Sequence, residues 1–163
     1  MSEPVSVELA GIRIQLPSQS PVLLLRETGG STHVPIWIGP VEAASIASAL
    51  EGVEPQRPMT HDLLVELIAA LDAGVTRVTI TDVEQSVFFA ELALETVLGK
   101  KTISCRPSDA VAIAARLDTP LFVAQSVLDS AGIQLQDESD ESAIEEFKEF
   151  LDGVSPEDFT PGE

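Results

Sequence analysis

Two short polar signatures hold most of the side chains capable of chemistry: Arg57-Pro58-Met59-Thr60-His61-Asp62 and Arg106-Pro107-Ser108-Asp109. In both, an arginine precedes a proline and a carboxylate follows within a few residues. Asp62 and Asp109, with Glu42 as a third carboxylate, could hold a hard divalent cation such as Mg²⁺ or Mn²⁺. His61 could act as general base or as a ligand. Arg57 and Arg106 could clamp phosphate oxygens bidentately, and Ser108 could add a hydroxyl contact to a substrate.

The same residues are also good helix starters. Thr60, Ser108 and Asp109 suit a first turn, where a cap is worth about 1 kcal/mol and an acid adds a few tenths up to ~1 kcal/mol. Arg106 could equally pair with Asp109 or Asp62 and tie two helix starts together. His33 is expected at the surface of a strand. Cys105, at a strand end, is expected to be a small buried hydrophobe, and a Cys105–His61 nucleophile pair stays open.

The surrounding pattern supplies elements to position these groups. Val5, Val7 and Leu9 share one face of a strand; Ile12, Ile14 and Leu16 continue it with opposite parity, which places a bulge at Ala10-Gly11. Strands over 22–26 and 33–38 follow, and three short-linked strands predict an antiparallel meander. Val41, Ala44, Ile46, Ala47 and Leu50 take helical spacing behind Gly39-Pro40. Leu63, Leu64, Leu67, Ile68 and Leu71 form the apolar face of a second helix, with Thr60 as N-cap and Gly74 as its stop. Strands over 75–83, 87–96 and 102–105 come next, with turns at 84–86 and 98–100. A helix over about 107–117 buries Val111, Ile113 and Ala114; a strand over 121–124 and a short helix over 125–131 follow. Both signatures thus open helices, where main-chain N–H groups and the dipole favour an anion.

After Gln134 the chain turns acidic. Ser142 to Leu151 predicts an amphipathic helix with Ile144, Phe147, Phe150 and Leu151 on one face and a Ser142/Glu145 capping box. The expected division is a domain over 1–134 and an acidic tail over 135–163.

Composition narrows the function classes. The net charge is −18; from Asp137 onward 11 acids face one lysine, and the remainder carries 16 acids and 8 bases. Such a surface repels phosphate backbones, so nucleic-acid contact needs a local basic patch or a bound metal. No apolar run approaches the ~20 residues of a membrane span. The N-terminus lacks the basic and apolar regions of a signal peptide, and the lone Cys105 fits a reducing compartment, so a cytoplasmic location is expected. One cysteine and two histidines argue against structural zinc, and no P-loop or Gly-x-Gly-x-x-Gly fingerprint is present. Tyrosine is absent, leaving few stacking platforms beyond Phe88-Phe89.

Taken in order, five stretches resemble the bifunctional nuclease domain family. They are Val34-Pro35-Ile36-Trp37-Ile38-Gly39 with Glu42-Ala43; the first signature through Leu63-Leu64; Val87-Phe88-Phe89-Ala90-Glu91-Leu92; Ser104-Cys105 with the second signature and Ala110-Val111-Ala112; and Pro120-Leu121-Phe122-Val123. The likeness covers roughly residues 5–132 and rests on the ordered set. It implies an α+β domain whose bent, mostly antiparallel sheet is flanked by helices, with the tail outside it, and activity on DNA and RNA. Phosphodiester hydrolysis needs an activated nucleophile, stabilised phosphoryl charge and leaving-group help. For that chemistry the catalytic candidates are His61, Asp62, Arg106 and Asp109, with Arg57 and Ser108 on substrate and Glu42, Asp62 and Asp109 on a metal. The competing expectations are a binding or regulatory module that recruits a protein through the tail, and a small-anion sensor. The tail helix and open strand edges favour a homo-oligomer.

Overall fold

The computed structural model describes residues 2–135, together with 149, 152 and 153. The tail helix expected over 142–151 therefore lies almost entirely outside the described residues. Two antiparallel meanders make most of the sheet. The first comprises β1 (Val5–Gln15), β2 (Ser20–Glu27) and β3 (Thr32–Trp37); the second comprises β4 (Gly74–Glu84), β5 (Val87–Thr96) and β6 (Gly99–Cys105). A short strand, β7 (Leu121–Val123), joins them, antiparallel to β1 and parallel to β4. The eight-stranded order is β6-β5-β4-β7-β1-β2-β3-β8, where β8 is Ile133–Gln134 on the β3 edge. Among the described residues the one parallel pair, β4 with β7, is reached by a crossover that carries a helix, as parallel pairing requires.

The parity switch in β1 is a register shift between Leu9 and Gly11, and Gly11 adopts φ +124°, a conformation open to glycine. Further shifts at Val75/Arg77 and Ile80/Asp82 in β4 bend the second meander. Gln85 and Ser86, both at positive φ, close the β4–β5 hairpin. The next hairpin turns at Val97-Leu98 instead of 98–100, because Gly99 already pairs with Thr96.

Within residues 2–135 the helices are α1 (Pro40–Leu50), α2 (Thr60–Ala70), α3 (Pro107–Leu117) and α4 (Gln125–Ala131). Helix α3 is the hub. It is buried from Pro107 through Ala114 except at Asp109, and packs on α1, α2, β4 and β5. Its alanines, Ala110, Ala112 and Ala114, let backbone approach on several sides, while Val111 and Ile113 fill the core with Leu23, Leu25, Ile46, Val78 and Ile80. Among the described residues no helix is long and apolar enough to cross a membrane.

Several expectations needed correction. In α1 the buried residues are Ala43 and Ile46, while Val41 and Leu50 stand exposed. In α2 the apolar row Leu63, Leu64, Leu67 and Leu71 is 37–72% exposed, and the buried residue is His61. Helical spacing identified the row correctly but not which face meets α3. His33, expected at the surface, is 3% exposed because β8 pairs across it, His33 opposite Ile133, and α4 packs on β3. Its Nδ1 meets the Ser31 carbonyl at 2.9 Å, and its Nε2 has no hydrogen-bond partner among the described residues.

Candidate active site

Helices α1, α2 and α3 bring their N-termini to one cleft. Each starts on a residue with no side-chain capping bond, Gly39, Met59 and Arg106 respectively, and each carries an acid at its third helical position: Glu42, Asp62 and Asp109. Thr60 is thus the first helical residue of α2, not its cap. Asp62 takes over capping through Oδ2, which accepts the Met59 N–H at 2.9 Å. Gly39 leaves room for Glu42 to fold back over the start of α1; a Cβ there would run into the Glu42 carboxylate.

A continuous chain of side-chain hydrogen bonds crosses the cleft. Glu42 Oε1 accepts from Arg106 Nη1 at 3.0 Å. Arg106 also grips Asp109 bidentately, Nε to Oδ2 at 2.8 Å and Nη2 to Oδ1 at 3.0 Å. Asp109 Oδ1 lies 2.9 Å from His61 Nε2, and His61 Nδ1 lies 2.7 Å from Ser45 Oγ. Arg116 Nη2 donates to Ser45 Oγ at 3.1 Å, and Arg116 Nε to Asp62 Oδ1 at 2.7 Å. Arg116 is held further by the carbonyls of Ala112 and Ser45.

Charge and exposure sort these groups. The Arg106 guanidinium holds the Asp109 carboxyl below the usual carboxylate range, His61 adding to the effect and burial opposing it. The Arg116 guanidinium does the same for Asp62, with the Met59 N–H contributing. For Glu42 its own main-chain N–H leads and Arg106 follows. Asp109 is therefore an ionised acceptor, so His61 Nε2 carries a proton and donates it. The Arg116 side chain is 12% exposed and is framework, whereas Arg106 is 63% exposed. Of its five N–H groups three are engaged by carboxylates, and Arg106 lines the cleft. Arg106 is thus tied to carboxylates on two helices without being buried.

The predicted residues separate accordingly. His61, Arg106, Asp109 and Glu42 form one linked set, with Asp62 joined to it through Arg116 and Ser45. Arg57 is exposed in the loop before α2, outside the residues that line the cleft, and Ser108 is buried in the first turn of α3 at 6% exposure. Ser45 and Arg116 were not predicted. Their spacing carried the signal: Ser45 follows Glu42 by three residues and Arg116 follows Asp109 by seven, so each shares a helix face with a predicted acid. Cys105 makes no pair with His61; burial, with Asp109 and Glu91 adding, pushes its thiol up to about 11.

The carboxylates as arranged do not fit a divalent ion. Each is already paired with a guanidinium at 2.7–3.0 Å, Glu42 and Asp109 sharing Arg106 and Asp62 taking Arg116. Among the described residues no group of three His, Cys, Asp or Glu side chains is placed to hold a metal. The cleft itself is open, about 840 Å³, and lined by Glu42, Ser45, His61, Asp62, Arg106, Asp109 and Arg116 among others.

Fold and site together define an α+β domain with a histidine–carboxylate–guanidinium centre where three helix N-termini meet. A family described as "bifunctional nuclease domain" matches residues 23–136, and the chain belongs to that family. An uncharacterized protein of Mycobacterium tuberculosis (strain ATCC 25618 / H37Rv) is 48% identical over 161 residues, covering 94% of this chain and 96% of its own. Bifunctional nuclease 2 of Oryza sativa subsp. japonica is 33% identical over 129 residues, 76% of this chain and 39% of the plant protein. Bifunctional nuclease 2 of Arabidopsis thaliana is 27% identical over 128 residues, again 39% of its length. The plant proteins extend well beyond the shared domain.

Proposed function

We propose that the cleft hydrolyses phosphodiester bonds of DNA or RNA, with His61 moving the proton and Arg106 holding the phosphate. The observation that carries this reading is the fixed imidazole. His61 is buried and hydrogen-bonded at both ring nitrogens, and it lies beside an exposed guanidinium with free N–H groups. Family membership and the plant relatives described as bifunctional nucleases support a nucleic-acid substrate.

In this reading Asp109 has two tasks. It fixes the His61 ring and its Nε2–H tautomer, and it orients Arg106 from the same carboxylate. The two remaining Arg106 N–H groups bond the non-bridging phosphate oxygens and oppose the charge that grows on them in the transition state. No step calls for a divalent ion, since the carboxylates serve guanidinium groups. Two arginines face four acids in the lining, Glu42, Glu54, Asp62 and Asp109. Three helix N-termini, each equivalent to about +0.5 charge, offset part of that excess. The grip is therefore local, on one phosphate, and binding should fall only gently with salt, with a log–log slope of about −1 to −2.

The test is cleavage of end-labelled single-stranded DNA and RNA by the full chain, alongside His61→Ala and Arg106→Gln. The wild type should cut and both variants should lose at least ~10²-fold in rate. Undiminished cutting by His61→Ala would refute the assignment.

A further inference from the structure

We propose that Ser45 is the nucleophile of this cleft, activated by His61 and Asp109, and that the reaction proceeds through a covalent phosphoseryl intermediate. This rests on the hydrolytic reading above and adds the identity of the attacking atom.

The inference follows from counting protons. Asp109 is ionised and can only accept, so the proton between it and His61 sits on Nε2. In neutral imidazole the lone pair is then on Nδ1, and Nδ1 lies 2.7 Å from Ser45 Oγ. Arg116 Nη2, which can only donate, approaches the same Oγ at 3.1 Å and occupies one of its lone pairs. Hence the Ser45 hydroxyl proton points to His61 Nδ1. The one basic site of the imidazole is filled by Ser45, and a water could reach it only by displacing that hydroxyl. Three residues from three helices thus form a serine–histidine–aspartate relay, with Ser45 half-buried in the cleft wall. Compared with the usual serine hydrolase relay the two ring nitrogens exchange roles, and the roles themselves are kept. Arg116 adds a positive charge beside Oγ, which favours the alkoxide as it forms.

The chemistry balances without a metal or a redox partner. Ser45 Oγ bonds to phosphorus as its proton passes to His61 Nδ1. The P–O bond to the leaving group breaks, its electron pair stays on that oxygen, and His61 returns the proton to release an alcohol. Water then attacks phosphorus and gives a proton to His61 Nδ1. The P–Oγ bond breaks, and Ser45 recovers its proton.

Two probes test this on the full chain. One is an alkyl fluorophosphonate, which phosphonylates activated serines with loss of fluoride. The other is a 5′-labelled oligonucleotide quenched in acid during turnover. The expected result is a single adduct on the Ser45 peptide by mass spectrometry, absent in Ser45→Ala and formed at least ~10²-fold more slowly in His61→Ala. Cleavage of the oligonucleotide with no Ser45 adduct from either probe would overturn the proposal and leave water as the nucleophile, with the hydrolytic reading intact. A fluorophosphonate adduct on Ser45 without oligonucleotide cleavage would support the nucleophile and move the failure to the substrate class. Equal labelling of wild type and His61→Ala would also overturn it, since the relay would then do nothing. The wild-type adduct is informative whether or not any variant folds.

Discussion

Replacing Asp109 with asparagine removes the charge that joins His61 to Arg106 while keeping the side chain's shape. Asn Oδ1 can still accept from His61 Nε2, but the amide NH₂ meets a guanidinium N–H, donor against donor. The bond to buried His61 is charge-assisted and worth about 1.5–3 kcal/mol; an amide oxygen keeps roughly half of that. The Arg106 pair involves a side chain that is 63% exposed, so solvent screening limits it to ~1 kcal/mol or less. The combined cost is about 1–2 kcal/mol, or roughly 1 M in the urea midpoint of a domain this size. The pH dependence has a definite sign. The folded-state carboxyl lies below its ordinary value of 3.8, so its contribution is complete above that value and is lost as pH falls through the lower folded value. The cost of Asp109→Asn should therefore be level from about pH 5 to 8 and shrink below about pH 4. Urea unfolding of both proteins, followed by far-UV circular dichroism across that range, gives the curve. A cost that stays constant or grows in acid would refute the ionised, arginine-bound state of Asp109. A loss of about 1–2 kcal/mol leaves the domain folded, so the ~10²-fold or greater fall in cleavage expected of the same variant would be chemical in origin.

Other predictions follow from single contacts. Gly39→Ala should displace the Glu42 carboxylate from Arg106 at a cost of about 1 kcal/mol or less. Because Gly39 has φ −75°, the backbone itself accepts alanine, and adding Glu42→Gln to this variant should cost nothing more in thermal unfolding. Ile46→Ala, at a site with 0% exposure, should cost about 2–5 kcal/mol in urea unfolding. Leu67→Ala, 49% exposed, should cost ~1 kcal/mol or less, and a cost equal to that of Ile46→Ala would place α2 wrongly. Alkylation of Cys105 by iodoacetamide at neutral pH should run roughly 10²-fold slower than that of a free thiol, since burial raises it from 9.0 to about 11.

The strands and helix spans were largely legible in the sequence, because alternation and helical spacing depend on neighbours in the chain. The β1 bulge at Leu9/Gly11, α3 and the α4 stop at Gly132 could all be read locally. What failed depended on partners distant in sequence. Leu63, Leu67 and Leu71 mark an apolar row, but periodicity does not say which side of α2 meets α3, and His61 took the buried side instead. His33 is covered by β8, a two-residue strand too short to leave a pattern. At the site, Glu42, His61, Asp62, Arg106 and Asp109 were recognisable as polar groups at helix starts. Ser45 and Arg116 sit mid-helix and near a helix end, where serine and arginine are common, and only the packing of α1 and α2 on α3 gives them partners. The sequence left Arg106 open between a phosphate and a pair with Asp109 or Asp62; the packing gives it Asp109 and Glu42, and gives Asp62 to Arg116, which the sequence did not single out.

The most direct measurement is the rate of cleavage of a labelled oligonucleotide by the full chain in excess chelator, compared with His61→Ala under the same conditions. A centre built from His61, Asp109 and Arg106 predicts that the wild type cuts as fast with chelator as without, and that His61→Ala cuts at least ~10²-fold more slowly. Cleavage that vanishes with chelator and returns with Mg²⁺ or Mn²⁺ would contradict it and return the carboxylates to a metal.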